Sequence, residues 1–316
     1  MKVLVTGGLG FIGSTLSEAY IARGDHVTIV DNQSSNVIGP GAIQGAKKIR
    51  CDAKTYAHAG WWHPNRYDLV VHCASPVGPA GILKYKGRIA SMILASTDAL
   101  ITLCLAHDTP LINISTSEVY GTSGTYHESD ALRVPAVPSA RIEYAIGKMA
   151  AEAECRLTPG LRSISIRPFN IAGARQSSAG GFVLPTFAEQ ALAGTPITIY
   201  GDGTQQRALT SVDDLADFVL NHTTDYMDGR AVNVGNPHNT TTIADLASLV
   251  HEAAQSTSTI LHTDGQTIHG QDYHEAEGHI KVPCIDLAQS MGWAPRTTLT
   301  TLVDQAVAHT AARIAA

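Results

Sequence analysis

The glycines Gly7, Gly10 and Gly13 constrain this chain more than anything else in it. They follow a short apolar run, Lys2-Val3-Leu4-Val5-Thr6, and open a helix-like stretch. A second apolar run, His26-Val27-Thr28-Ile29-Val30, then ends in Asp31. Strand, glycine loop, helix, strand and acid is the order of a dinucleotide-binding βαβ unit. Glycine at these positions lets the backbone turn tightly and approach a pyrophosphate, with free amides at the helix start aimed at the anion. Asp31 lies 18 residues beyond Gly13, where a carboxylate accepts both hydroxyls of an adenosine ribose and repels a 2′-phosphate. The unit therefore favours NAD over NADP.

A chain of 316 residues buries a substantial core and suits one large domain or two coupled lobes. A net charge of −6 gives no electrostatic case for nucleic acid or an anionic membrane, so a polyanionic ligand must be held by helix ends and single arginines. The five cysteines are scattered, without a CxxC pair, and read as reduced thiols of a cytoplasmic protein. Fourteen histidines show no HExxH-like spacing, so no metal site is expected. The glycine loop interrupts the N-terminal apolar run, which argues against a signal peptide. No stretch reads as a membrane span.

The first half alternates apolar runs with helix-like segments, the pattern of a parallel α/β sheet. Strands are predicted at Lys2–Thr6, His26–Val30, Lys47–Arg50, Leu69–His72, Leu111–Ser115 and Ser163–Arg167, and helices at Ile89–His107 and Ser139–Leu157. After Pro168 the pattern turns irregular, broken by Gly173 to Gly181 and by Gly201-Asp202-Gly203. The reading is a doubly wound Rossmann-type sheet from residues 1–170, with about 208–236 returning to it through a strand at Ala231–Gly235. About 171–207 and 237–316 form a smaller C-terminal lobe that binds substrate.

Two further segments carry candidate chemistry. On a helix, Tyr144 and Lys148 share a face, and an ammonium near a phenol lowers its pKa and makes a general base. Tyr-x-x-x-Lys alone is common by chance; beside the glycine loop it becomes specific. The second is Ser115-Thr116-Ser117-Glu118, directly after a predicted strand, where ligands of open α/β sheets sit. Thr116 would hydrogen-bond the reacting hydroxyl, with Ser117 and Glu118 deeper along the substrate. A Ser/Thr-capped turn accounts for the same residues equally well.

Taken in order, these motifs resemble the extended short-chain dehydrogenase/reductase family, the NAD-dependent nucleotide-sugar epimerases, dehydratases and decarboxylases. The likeness spans nearly the whole chain: Thr6–Gly13, Asp31, Asp52, His72-Cys73-Ala74-Ser75, Thr116-Ser117-Glu118, Tyr144 with Lys148, and Arg167-Pro168-Phe169-Asn170. It continues through Gly201–Arg207, Val212-Asp213-Asp214-Leu215 and Val234-Gly235-Asn236-Pro237 to Met291-Gly292-Trp293. The resemblance implies that Tyr144 takes the proton from a sugar O4 while hydride leaves C4 for NAD and later returns. It also implies that Phe11, Ile12, Asn32, Asp52, Ala53 and Ala74 join the glycines and Asp31 around NAD, with Asp52 at the adenine. Ser75, Asn170 and Arg207 would meet the substrate, the last two at its diphosphate; outside that motif, Arg207 would read as a surface ion pair. Relatives commonly pair through the two predicted helices, so a homodimer is expected.

Glu118 separates the possible reactions. Simple 4-epimerases usually carry small residues there, dehydratases Asp-Glu, and UDP-glucuronate decarboxylases Ser-Glu, as here. Pro76 after the Ser75 motif, Gly147 before Lys148 and Asn233–Pro237 also resemble the decarboxylases. The chain departs at Glu277–Pro283, which lacks the family's arginines and offers Lys281 as a replacement at the diphosphate, and at Ala95, where relatives often have asparagine. Segments 76–86 and 176–181, at the substrate entrance, align poorly. Decarboxylase-like or dehydratase-like chemistry through Glu118 is the first reading, an epimerase the second, and a catalytically silent NAD-binding sensor the third.

Overall fold

The computed structural model describes residues 1–34, 38–39, 41–60, 66–121, 124–136, 139–264 and 280–315. Its main sheet has seven parallel strands: β1 (Lys2–Thr6), β2 (His26–Asp31), β3 (Lys47–Arg50), β4 (Leu69–His72), β5 (Leu111–Ile114), β7 (Ser163–Pro168) and β12 (Ala231–Val234), in the order β12-β7-β5-β4-β1-β2-β3. In β1, Val3 and Val5 enter one core and Leu4 the other, the two-residue alternation of a strand buried on both faces. Val5 lies in register with Ile29 on one side and Val71 on the other.

Helices α1 (Phe11–Ala22) and α7 (Val212–Asn221) cover the first face, where Leu16, Tyr20, Leu215 and Phe218 meet the strands and Trp293. The other face carries α2 (Ala53–Gly60), α4 (Ile89–His107) and α5 (Ala140–Leu157). Ser139 caps α5 by accepting the Ile142 amide at 3.2 Å, with Glu143 in the first turn and Arg156 in the last, both suited to the helix dipole. A short helix, α3 (Gly78–Lys84), precedes α4.

By length and composition α4 is apolar enough to cross a membrane, contrary to the sequence expectation. The cause is its place in the fold: it packs between the sheet, α2 and α5, so several of its faces are apolar.

Short elements build the second lobe. β6 (Gly124–Tyr126), β10 (Gln206–Ala208), β13 (Thr240–Thr242) and β15 (Ile280–Pro283) form a four-stranded sheet, while β8 (Ile171–Ala172) pairs β11 (Thr210–Ser211) and β9 (Ile197–Tyr200) pairs β14 (Ile260–Thr263). A separate core of Leu184, Phe187, Ile199, Leu246, Val250 and Leu302 joins α6 (Val183–Leu192), α8 (Ile243–Ala253) and the helix Leu299–Ala315. The long predicted elements agree with the structure to within one residue at their ends. These two- to four-residue strands have no periodicity to read. β6 is the instructive case: it follows β5 in the chain yet joins the second lobe's sheet.

Candidate active site

Strand order reverses between β1 and β4, which opens a crevice at their carboxyl ends. The glycine loop leaves β1 there, and Ala74 and Ser75 leave β4 beside it. The fit is tight: a Cβ on Gly7 would stand 2.7 Å from the Ala74 backbone, and one on Gly13 only 2.2 Å from the Gly7 carbonyl oxygen. Gly10 caps α1 without a side-chain hydrogen bond, which leaves the helix's first amides for an anion. Phe11 and Ile12 begin that helix. Asp31 is turned toward the crevice by the Leu9 amide on Oδ2 (2.9 Å) and the Gln33 amide on Oδ1 (2.6 Å). Each carboxylate oxygen keeps a lone pair for a ribose hydroxyl. Asn32 donates to Asp52 at 3.4 Å, and Asp52 accepts the Lys54 amide at the start of α2, which places Ala53 beside it. A glycine cradle, free amides and an anchored carboxylate fit NAD.

Thr116, Ser117, Tyr144 and Lys148 are all buried and converge beyond β5. Thr116 caps the turn Ser117–Tyr120 by accepting the Glu118 amide, so the capping reading of this segment is correct. The same hydroxyl hydrogen-bonds Tyr144, so it serves both purposes. Burial pushes the Tyr144 phenol above its ordinary pKa, against the pull of that hydrogen bond. The expected acidification by Lys148 does not appear: its Nζ donates to the Ile114 carbonyl at 2.7 Å and stands 5.9 Å from the Tyr144 ring centre. Burial lowers Lys148 itself to about 8.

Glu118 is clasped by two cations. Arg141 donates to both carboxylate oxygens, at 2.7 and 3.1 Å, and Lys281 donates to Oε1 at 2.6 Å. Burial alone would raise the Glu118 carboxyl, but Arg141 and Lys281 overcome it and hold the pKa far below the usual range. Burial brings Lys281 down to about 8 despite the opposing Glu118 charge. Lys281 is therefore committed to Glu118 rather than standing apart as a diphosphate ligand. It also lies in register with Arg207 of β10, so the cluster carries more positive charge than negative. Glu277, Gly278 and His279 lie outside the described residues.

The remaining substrate candidates are less converged. Ser75 donates to Pro76 O at 3.1 Å; Asn170, at a φ of +42°, donates to Ala208 O at 3.2 Å. Arg207 is buried and bonds Gln205 and its own strand. Arg141 escaped the sequence reading, although its position three residues before Tyr144 puts it on the same helix face. A buried layer beneath the site was also missed: Arg167 pairs with Glu152 at 2.6 Å, Glu152 accepts from Ser115, and Tyr120 links Arg167 to Asn233.

Residues 3–235 match the NAD dependent epimerase/dehydratase family. The chain belongs to that family. NAD is accordingly its cofactor. It is 30% identical over 291 residues to the UDP-N-acetyl-alpha-D-glucosaminuronate decarboxylase of Bacillus cytotoxicus, covering 87% of each chain. It is 28% identical over 319 residues to UDP-glucuronic acid decarboxylase 2 of Arabidopsis thaliana, covering 95% of this chain and 66% of that one. Among solved structures, the UDP-glucose 4-epimerase of Thermus thermophilus in complex with NAD superposes with a TM-score of 0.80 at 25% identity, covering 98% of this chain and 99% of the other. The family's doubly wound fold and this chain's topology agree.

Proposed function

We propose that this chain acts on a nucleotide-linked uronic acid through transient oxidation at C4, with loss of carbon dioxide from C5 as the net reaction. The observation that carries the proposal is the Glu118 cluster, in which Arg141 and Lys281 supply excess positive charge beside the Thr116–Tyr144 pair. Beyond their bonds to Glu118 the two cations leave a surplus of positive charge, which suits an anionic sugar. The decarboxylase relatives support the same choice.

Thr116 and Tyr144 hold the C4 hydroxyl between them, and Tyr144 takes its proton as the phenolate, the form that the Lys148 ammonium and the positive nicotinamide ring of NAD would favour over the neutral phenol. NAD supplies a hydride acceptor that later returns the hydride. Once C4 is a ketone, the C5 carboxylate lies beta to it. The C5–carboxyl bond breaks, its electron pair enters the carbonyl, and carbon dioxide leaves. Glu118, held ionised, cannot supply the proton that C5 then needs, and Arg141 does not release one. Lys281, lowered to about 8, is the acid of the cluster that can. Lys148 keeps its place on Ile114 O beneath Tyr144 and contributes the local positive charge.

A nucleotide-sugar epimerase is the second reading, at C4 as in the Thermus enzyme with Glu118 a bystander, or at C5 with Glu118 a proton carrier. The two readings separate by product mass. The purified enzyme with UDP-glucuronate or UDP-N-acetylglucosaminuronate in deuterated water should release carbon dioxide and incorporate one deuterium at C5. A product of unaltered formula would overturn the decarboxylase reading in favour of an epimerase, and loss of water would make it a dehydratase.

Two coarser expectations complete the proposal. A homodimer through α4 and α5 is supported by the exposed Leu105, Ile146 and Leu157 on that helix pair. A cytoplasmic location is supported by five cysteines that all stand as free thiols.

A further inference from the structure

One group of side chains outside the site has the makings of a ligand set. A ring nitrogen of His127, the Cys284 sulfur and a carboxylate oxygen of Asp286 all lie within 4.8 Å of one another. His127 and Cys284 are far apart in the chain, which hid them from a reading of local spacing. The sheet of the second lobe brings them together: β6 and β15 pair in parallel, Tyr126 stands opposite Pro283, and the next residue of each strand enters the cluster. The strand ends are firmly placed. The Cys284 amide donates to Tyr126 O at 2.8 Å, and Asn233 of β12 donates to the carbonyls of both Tyr126 (3.0 Å) and Cys284 (3.4 Å).

The chemistry of the three donors differs from that of an acidic surface patch. One imidazole, one thiol and one carboxylate are the ligands of a borderline-soft ion such as zinc, whereas calcium and magnesium take oxygen. The Cys284 sulfur and the Asp286 carboxylate already hydrogen-bond one another, which holds two of the three donors side by side. Tetrahedral zinc wants its ligand atoms about 3.3–3.6 Å apart, so His127 and Asp286 must close on the sulfur by at most about 1.5 Å. Both side chains are exposed, while the half-buried Cys284 anchors them. Glu128, beside His127, holds the Asn233 amide at 2.8 Å and adds a second negative group nearby.

We propose that His127, Cys284 and Asp286 form a site for one zinc-like divalent cation, with a water completing its coordination. The ion ties the ends of β6 and β15 beside Asn233, and so braces the strand that carries Lys281 three residues upstream. This proposal is independent of which sugar reaction the enzyme performs.

Cobalt is the direct probe, because a thiolate ligand gives it a charge-transfer absorption band. The chelator-treated enzyme with its NAD should bind one equivalent of Co2+ with that band, and Zn2+ should displace it and raise the melting temperature. Cys284→Ser should lose the band, His127→Gln should weaken binding about tenfold or more, and Cys51→Ser should leave both unaltered. Absence of the band in the wild type, or its survival in folded Cys284→Ser, would overturn the proposal. If Cys284→Ser fails to fold, wild-type affinity retained in His127→Gln and Asp286→Asn would overturn it as well.

Discussion

Tyr144 and His72 show what single side chains do in the buried crevice. Tyr144 is a neutral phenol raised by burial and hydrogen-bonded to Thr116. Tyr144→Phe removes the proton acceptor and little else, so kcat should fall by about a hundredfold or more with NAD still bound, as measured by turnover and by cofactor release on denaturation. Loss of NAD together with activity would mark Tyr144 as structural. His72 is held by Thr6 at 2.8 Å and Ser96 at 3.4 Å, with Lys148 nearby, and burial lowers it from 6.5 to about 3. Below pH 6.5 the unfolded chain takes up a proton here that the folded chain refuses. The contribution to stability is thus complete above 6.5 and lost toward pH 3, at up to about 1.4 kcal/mol per pH unit. Thermal melts across that range should fall less steeply for His72→Gln; parallel curves would contradict this assignment. The residues most legible in the sequence were those acting through short spacing: Gly7, Gly10 and Gly13, then Asp31, then Tyr144 with Lys148. The partners of Glu118 were not. Arg141 sits 23 residues away and Lys281 163, and no local pattern joins them.

At the scale of elements, the catalytic helix α5 is pinned to the sheet by polar as well as apolar contacts. Glu152 lies one turn beyond Lys148 and pairs with Arg167 of β7, both side chains being less than 10% exposed. Removing one partner strands the other charge in a dry interior, at a cost of about 3–5 kcal/mol. Glu152→Gln should lose that much in a denaturant titration; a loss below about 1 kcal/mol would mean that the pair is solvated. Long elements such as α4 and α5 were readable because apolar residues repeat over several turns, with a capping serine at the start of α5 and a proline beyond the end of α4. β6, β10 and β15 run three or four residues each, and strands of that length take their pairing from the lobe they complete. These short strands nevertheless put Lys281 on Glu118 and Arg207 beside Lys281, so the least legible elements built the most informative part of the site.

On the scale of the whole molecule, the strand order of the doubly wound sheet reverses where NAD would bind, and a separate four-stranded sheet carries Lys281 to Glu118. Among the described residues the three largest cores lie one on each side of the sheet and one between α6, α8 and the C-terminal helix. The exposed residues of α4 and α5 predict a dimer: light scattering at micromolar concentration should give twice the chain mass, and Ile146→Glu should halve it. A monodisperse wild-type monomer would refute the pairing. The central claim is transient oxidation at C4, common to the decarboxylase and epimerase readings alike. Its most direct test is the reaction of UDP-glucuronate bearing deuterium at C4, followed by mass spectrometry of the product and by rate. The account predicts slower turnover and a product that retains the deuterium at C4. Turnover at the ordinary rate with no isotope effect, or deuterium lost to solvent, would contradict it.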